Sequence, residues 1–310
     1  MYQARIPSRS EFLPIRGHDC HLRIWGQATG GHPLLLMVHG WMDVGASFQF
    51  VVDALGEDFV RERCIIAPDW RGYGLTRSPH TDSYWFPDYL ADLDFLIDHY
   101  SPDAPVDLAG HSLGGHIAMF YAGIRPKRLR CLINMEGFGM AATRPAQAPT
   151  RYERWLDELK ALHRGDMALR PYADAQGVAR RLMKTNRRLD ADRALWLAHH
   201  WARANDAGAW EILGDAAHKV INPQLSRVDE ALEIYKRIAA PVLMVEASDN
   251  ALDTWWQGKY TLEEFHERLK SVPQLRRARI EDAGHMLHHD QPGPLASLMR
   301  EFIRSQPACR

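Results

Sequence analysis

A serine set among glycines, and a far-off histidine preceded by glycine, are the residues with the most chemistry to offer in this chain. Gly110-His111-Ser112-Leu113-Gly114-Gly115 follows the apolar run Val106–Ala109 and precedes an apolar helical pattern. G-x-S-x-G between a strand and a helix puts a serine on a sharp turn. Small neighbours are required there, because the turn is strained and the helix must approach the strand closely. The start of that helix adds positive potential and free N–H groups. Ala283-Gly284-His285-Met286 follows a short run near the C-terminus. A neutral imidazole on such a loop can take the serine proton and later give it to a leaving group. His288 and His289 compete in sequence, but the glycine before His285 favours His285. No metal site is expected from these histidines, because no carboxylate or cysteine ligand pattern accompanies them along the chain. A glycine-rich turn without chemistry is the bland alternative, and the distant histidine argues against it.

Further residues could support the serine. His39-Gly40-Trp41-Met42-Asp43 ends the run Pro33–Val38. Its glycine lets the chain turn and bare its N–H groups, so the backbone N–H groups of Trp41 and Leu113 are expected to hold a developing oxyanion. Losing one such donor costs on the order of 10²–10³ in turnover. Two carboxylates stand at the ends of apolar runs: Glu136 in Asn134-Met135-Glu136-Gly137, and Asp249 in Glu246-Ala247-Ser248-Asp249-Asn250. Either could orient His285 and stabilise its imidazolium.

The elements that must position these residues follow an α/β pattern. Glu11–Ile15 and His21–Trp25 flank a Gly17-His18-Asp19 turn and read as an antiparallel hairpin. Pro33–Val38, Cys64–Ala67, Val106–Ala109, Arg130–Met135 and Val242–Val245 are continuous apolar runs, suited to strands buried on both faces. Arg279–Glu281 reads as a last strand. Tyr89, Leu93, Leu96, Ile97 and Tyr100 recur at helical spacing after Pro87-Asp88, as do Leu295, Leu298, Met299, Phe302 and Ile303. Alternating strands and helices imply a parallel sheet with right-handed crossovers. From about Met140 to Leu225 no buried strand is evident. Helical stripes such as Tyr152, Trp155, Leu156, Leu159 and Leu162 occupy it, and the length far exceeds one crossover.

Bulk composition excludes little else. The chain has 310 residues, 46% apolar and 25% charged, with a formal net charge of −1. That balance offers no strong attraction for nucleic acid or an anionic membrane. No apolar stretch approaches a membrane span. The polar start, Met1 to Ser10, lacks an apolar signal region, so a cytoplasmic location is expected. Cys20, Cys64, Cys131 and Cys309 are scattered, and buried free thiols are expected at Cys64 and Cys131. Repeats and low-complexity tracts are not evident, and oligomeric state is not readable.

Taken together, HGWMD, Asp69-Trp70-Arg71-Gly72-Tyr73-Gly74, GHSLGG and AGH resemble the α/β-hydrolase superfamily across nearly the whole chain. The resemblance implies a mostly parallel eight-stranded sheet flanked by helices, with an inserted helical cap. The expected division is a core of residues 1–139 and 226–310 and a cap of residues 140–225. Family members usually carry the acid after the seventh strand, in P-V-L-x-x-x-G-x-x-D. Here Ala247 replaces the glycine and Asn250 the aspartate. Glu136, after the sixth strand, resembles the acid of one haloalkane dehalogenase branch, so Glu136 is preferred and Asp249 is the alternative. Those enzymes attack with an aspartate. Ser112 in that position implies acyl chemistry instead.

The expected activity is hydrolysis of a small, apolar carboxylic ester through an acyl-enzyme, needing neither metal nor organic cofactor. A carbon–carbon bond hydrolase of ring-cleavage diketones is an alternative, although HGWMD lacks the glycine-rich HGSGPG-type loop of those enzymes. A small-molecule receptor on the same fold is another. Asp69 and Arg71 are expected to pair as scaffold. Trp41, Trp155, Trp196 and Trp201 are expected either in the core or lining an apolar pocket. Arg180, Arg181, Arg187 and Arg188 read as a solvated face.

Overall fold

Apolar runs buried on two faces must be covered on both, and that requirement sets the architecture. The structure is a computed structural model and describes residues 2–27 and 32–307. Its strands are β1 (Arg9–Ile15), β2 (His18–Trp25), β3 (Leu35–Val38), β4 (Ile65–Pro68), β5 (Val106–His111), β6 (Leu129–Met135), β7 (Ala202–Ala204), β8 (Trp210–Ile212), β9 (Val242–Ala247) and β10 (Leu275–Ile280). Eight of them form one sheet in the order β1-β2-β4-β3-β5-β6-β9-β10. The hairpin β1–β2 joins β4 antiparallel, and every other pairing in the sheet is parallel. The expected eight-stranded sheet is therefore present.

Alternate residues of the central strands point to opposite faces. Leu36, Val38, Leu108, Leu132 and Met244 share a core with the helices Phe86–Tyr100 and Leu113–Ile124. Leu35, Met37, Ala109, Ile133, Leu243 and Val245 share a second core with Gln49–Leu55 and Pro292–Ser305. Pro87 and Asp88 open the first of these helices as expected. Cys64 and Cys131 are buried free thiols, Cys20 is half-buried and free, and Cys309 lies outside the described residues.

Three expectations need correction. The last strand runs over Leu275–Ile280 rather than Arg279–Glu281. As an edge strand it carries Arg276, Arg277 and Arg279, and such charges protect an exposed edge while hiding the apolar pattern. Asp69 and Arg71 do not pair. Asp69 accepts hydrogen bonds from His21 Nδ1 (2.8 Å) and from the N–H groups of Gly45 (2.7 Å) and Leu75 (2.9 Å). Arg71 instead makes a two-pronged contact with Asp92, both bonds at 2.6 Å. Finally, residues 140–225 are mostly helical but contain the small antiparallel pair β7–β8. Three-residue strands are too short to register as a period.

The helices of that segment, Ala148–His163, Ala175–Thr185 and Ala191–Trp201, differ in burial. Val178, Leu182, Leu189, Leu197 and Ala198 form a third core that also takes in Phe50. The first helix buries no residue fully, and Tyr152 and Leu156 on its apolar stripe stay half exposed. His218 anchors the far end of the segment. Its ring is stacked between Tyr73 (3.8 Å) and Tyr84 (3.7 Å).

Burial holds the His218 imidazole down to about 3, and holds His200 and His116 down to about 4. In the unfolded chain each would titrate near ~6.5. Below pH 6.5 the unfolded chain therefore binds more protons, so stability is full above that pH and falls as pH drops toward 4. Each ring contributes up to ~1.4 kcal/mol per pH unit. Urea unfolding should give a lower midpoint at pH 5 than at pH 7, and His218→Asn should flatten that dependence.

Candidate active site

Parallel strands all end at one edge, so residues just past their carboxyl ends converge in space. His39 follows β3, Ser112 follows β5, Glu136 follows β6, and His285 lies in the loop after β10. Ser112 sits at φ 52° and ψ −115°, a backbone conformation that L-residues rarely adopt. Its N–H donates to Met135 O at 2.9 Å, which ties the turn to the neighbouring strand end. The glycines do what their spacing suggested. A Cβ on Gly114 would lie 2.2 Å from Val38 O, and one on Gly110 would lie 2.4 Å from Gly114 O.

The turn and the loops meet in one hydrogen-bonded chain. Ser112 Oγ lies 3.0 Å from His285 Nε2, and His285 Nδ1 lies 3.3 Å from Glu136 Oε2. Glu136 is buried, and its Oε1 accepts from the Ala247 N–H at 2.7 Å. The structure leaves Asp249 out of this chain. The Asp249 side chain is 70% exposed and pairs with Arg188 at 3.0 Å. Arg180, Arg181, Arg187 and Arg188 are all exposed, and Arg188 in addition pairs with Asp249 at the rim.

Burial sets the electrostatics. The Glu136 carboxyl is pushed up to about 9 by loss of water, countered by the Ala247 N–H and raised again by nearby Glu246. The His285 imidazole is held well below its usual value by burial, then by the neighbouring His111 and His288. Neither charge is favourable alone in this surrounding. Both groups are therefore held toward their uncharged forms, His285 as a neutral imidazole and Glu136 as a carboxyl, and each gains charge only with the other charged opposite it.

Trp41 and Leu113 border the serine. An ideal Cβ on Gly40, next to Trp41, would lie 3.1 Å from Ser112 Cβ. Among the described residues, the backbone N–H groups of Trp41 and Leu113 donate no hydrogen bond to the protein backbone. The other expected pocket tryptophans lie elsewhere. Trp196 meets Tyr2 edge-on and Phe50 at a tilt, Trp155 contacts Tyr152, and Trp201 donates to Asp43 Oδ1 at 3.1 Å.

Two residues at the site went unnoticed in the sequence. Trp255 meets the His285 ring edge-on at 4.3 Å while remaining half exposed. It belongs to a five-residue helix, too short to announce itself. His111 donates from Nε2 to the His285 carbonyl at 2.8 Å, bracing the histidine loop. Its place beside Ser112 in GHSLGG was the available signal. Read along the chain, His288 and His289 showed no carboxylate or cysteine ligand pattern; folded, both lie near Asp43.

The alpha/beta hydrolase fold family model matches residues 33–292, and the chain belongs to that family. It is 23% identical over 303 residues to a serine hydrolase-like protein of Danio rerio, covering 96% of this chain and 89% of the relative. It is also 34% identical over 114 residues to a 2-hydroxy-6-oxo-2,4-heptadienoate hydrolase of Pseudomonas putida, which covers 36% of this chain and 39% of that enzyme. In fold it is similar to the thioesterase domain from the curacin biosynthetic pathway, with a TM-score of 0.79, 24% identity, and 95% and 99% of the two chains covered. The chain is thus a hydrolase of the alpha/beta fold. Among the described residues, no helix is long and apolar enough to cross a membrane.

The close approach of helix to strand is directly testable. Gly114→Ala must displace Val38 O and should destabilise by about 1–3 kcal/mol in urea unfolding. Gly293→Ala, with nothing within 4 Å of the added Cβ, should change stability by less than about 0.5 kcal/mol.

Proposed function

We propose that the chain is a serine hydrolase that cleaves a small carboxylic ester through an acyl-enzyme. The observation that carries this reading is the unbroken Ser112–His285–Glu136 contact chain. In it Ser112 Oγ attacks the carbonyl carbon as His285 Nε2 takes its proton. The carbonyl oxygen becomes an oxyanion, held by the N–H groups of Trp41 and Leu113. Collapse of this intermediate expels the alcohol, which receives the proton from His285. Water, activated by the same imidazole, then releases the acid and frees Ser112. Glu136 fixes the imidazole and offsets its positive charge; Asp249 is a rim residue. Residues 140–225 serve as the cap over this site. The half-exposed faces of Trp41 and Trp255 favour an apolar substrate.

A carbon–carbon bond hydrolase is the second reading, favoured by the partial match to the Pseudomonas putida enzyme. The same serine and histidine would serve it. A coloured ring-cleavage dienol distinguishes the two: its absorbance decays with enzyme only if this second reading holds.

A fluorophosphonate probe should label wild type and not Ser112→Ala, and Ser112→Ala should lose turnover of a short p-nitrophenyl ester. Glu136→Gln should lower turnover by about 10³–10⁴-fold, whereas Asp249→Asn should change it little. Equal ester turnover in wild type and Ser112→Ala defeats the proposal.

The pH profile follows from the lowered His285. The base is active only when neutral, so the acid limb of kcat/KM should lie below pH 6.5. A limb above pH 7 would contradict that assignment.

A further inference from the structure

A second cluster of polar side chains adjoins this contact chain and takes no part in it. Asp43, His288 and His289 each present one ligand-type atom, and these atoms lie within 4.8 Å of one another. All three side chains are at least nine-tenths buried: His288 is 0% exposed, and Asp43 and His289 are 3%. Asp43 Oδ1 is fully occupied, accepting from the Val44 N–H (2.9 Å), Trp201 Nε1 (3.1 Å) and the Ser47 hydroxyl. Its Oδ2 has no hydrogen-bond partner among the described residues. Neither do the two ring nitrogens of His288 or Nε2 of His289. Among the described residues, the one ion-pair approach to Asp43 is His288 Nε2 at 3.8 Å.

An unsatisfied polar group in a dry interior is costly. Several facing one space, with a carboxylate among them, call for a shared positive partner. Two imidazoles and a carboxylate are a donor set that suits zinc. We propose that Asp43, His288 and His289 bind one divalent metal ion of the zinc class. Bonds of about 2.0–2.2 Å would draw the three atoms to roughly 3.3 Å apart, a modest movement from their present spacing. The three donors on Oδ1 aim Oδ2 at the ion, as outer hydrogen bonds do in metal sites. Burial also favours the unprotonated imidazoles that metal binding requires.

The ion stands outside the bond-breaking chemistry. Asp43 lies two residues past Trp41, and His288 lies three past His285. A shared ion therefore clamps the loop of one to the loop of the other. It is a structural site that fixes the two sides of the serine relative to each other.

The test uses the whole protein, stripped with EDTA and titrated with Co²⁺ or Zn²⁺ alone. Wild type should take up one equivalent of Co²⁺ with the visible bands of a four-coordinate ion. Zn²⁺ should raise Tm by roughly 5 °C. Asp43→Asn and His289→Phe should lose both effects. Should His289→Phe fold poorly, Asp43→Asn, which keeps the size of the side chain, decides through the Co²⁺ bands. Folded wild type that shows neither Co²⁺ bands nor a Zn²⁺-dependent Tm overturns the proposal and leaves buried water as the partner of these atoms. Equal Co²⁺ binding by wild type and Asp43→Asn overturns it too.

Discussion

The contact between the helix Leu113–Ile124 and the strand ends is the constraint on which the site depends. Gly114 lies against Val38 O so closely that even a methyl group would collide. That approach turns the chain at Ser112 into its strained conformation, with the hydroxyl 3.0 Å from His285 Nε2. It also sets the helix start beside the Gly40–Trp41 turn. If the helix stood off by the width of a side chain, Ser112 would relax and the two loops would lose their shared focus. The strain at one residue is tolerated because two apolar cores, one on each sheet face, hold the surrounding elements in place.

Burial governs what those elements can do. The carboxyl edge gathers His39, His111, His288 and His289, all nearly removed from water, and the partly buried His285. Such surroundings suppress positive charge on imidazole, so these rings are neutral acceptors and donors rather than cations. Glu136 meets the same penalty from the other side. Charge at His285 stands in a region that resists it, with the Glu136 carboxyl and the Asp43 carboxylate nearby to offset it.

Much of this was readable before folding. The five buried runs and the strand–turn–helix setting of Ser112 were legible because apolar continuity and glycine placement are local signals. His285 was legible for the same reason. The preference for Glu136 over Asp249 rested on departures from a pattern at Ala247 and Asn250, and in the fold Glu136 lies beside His285 while Asp249 turns to Arg188. What escaped was long-range or short in span. Asp69 was given the wrong partner because its bonds go to His21 and to backbone N–H groups, which no spacing encodes. β10 was placed late because edge arginines broke its period. Trp255 and the nearness of Asp43 to His288 arise only when loops from opposite ends of the chain meet.

The segment of residues 140–225 is held to the rest of the chain by unlike forces. At one end His218 lies between two tyrosine rings, a dry stack that salt does not weaken. Nearer its middle, Arg188 pairs directly with Asp249 at the surface, a bond worth about 0–1 kcal/mol that ions in solution screen readily. Added salt should therefore loosen the Arg188 contact while leaving the stacked rings as they are.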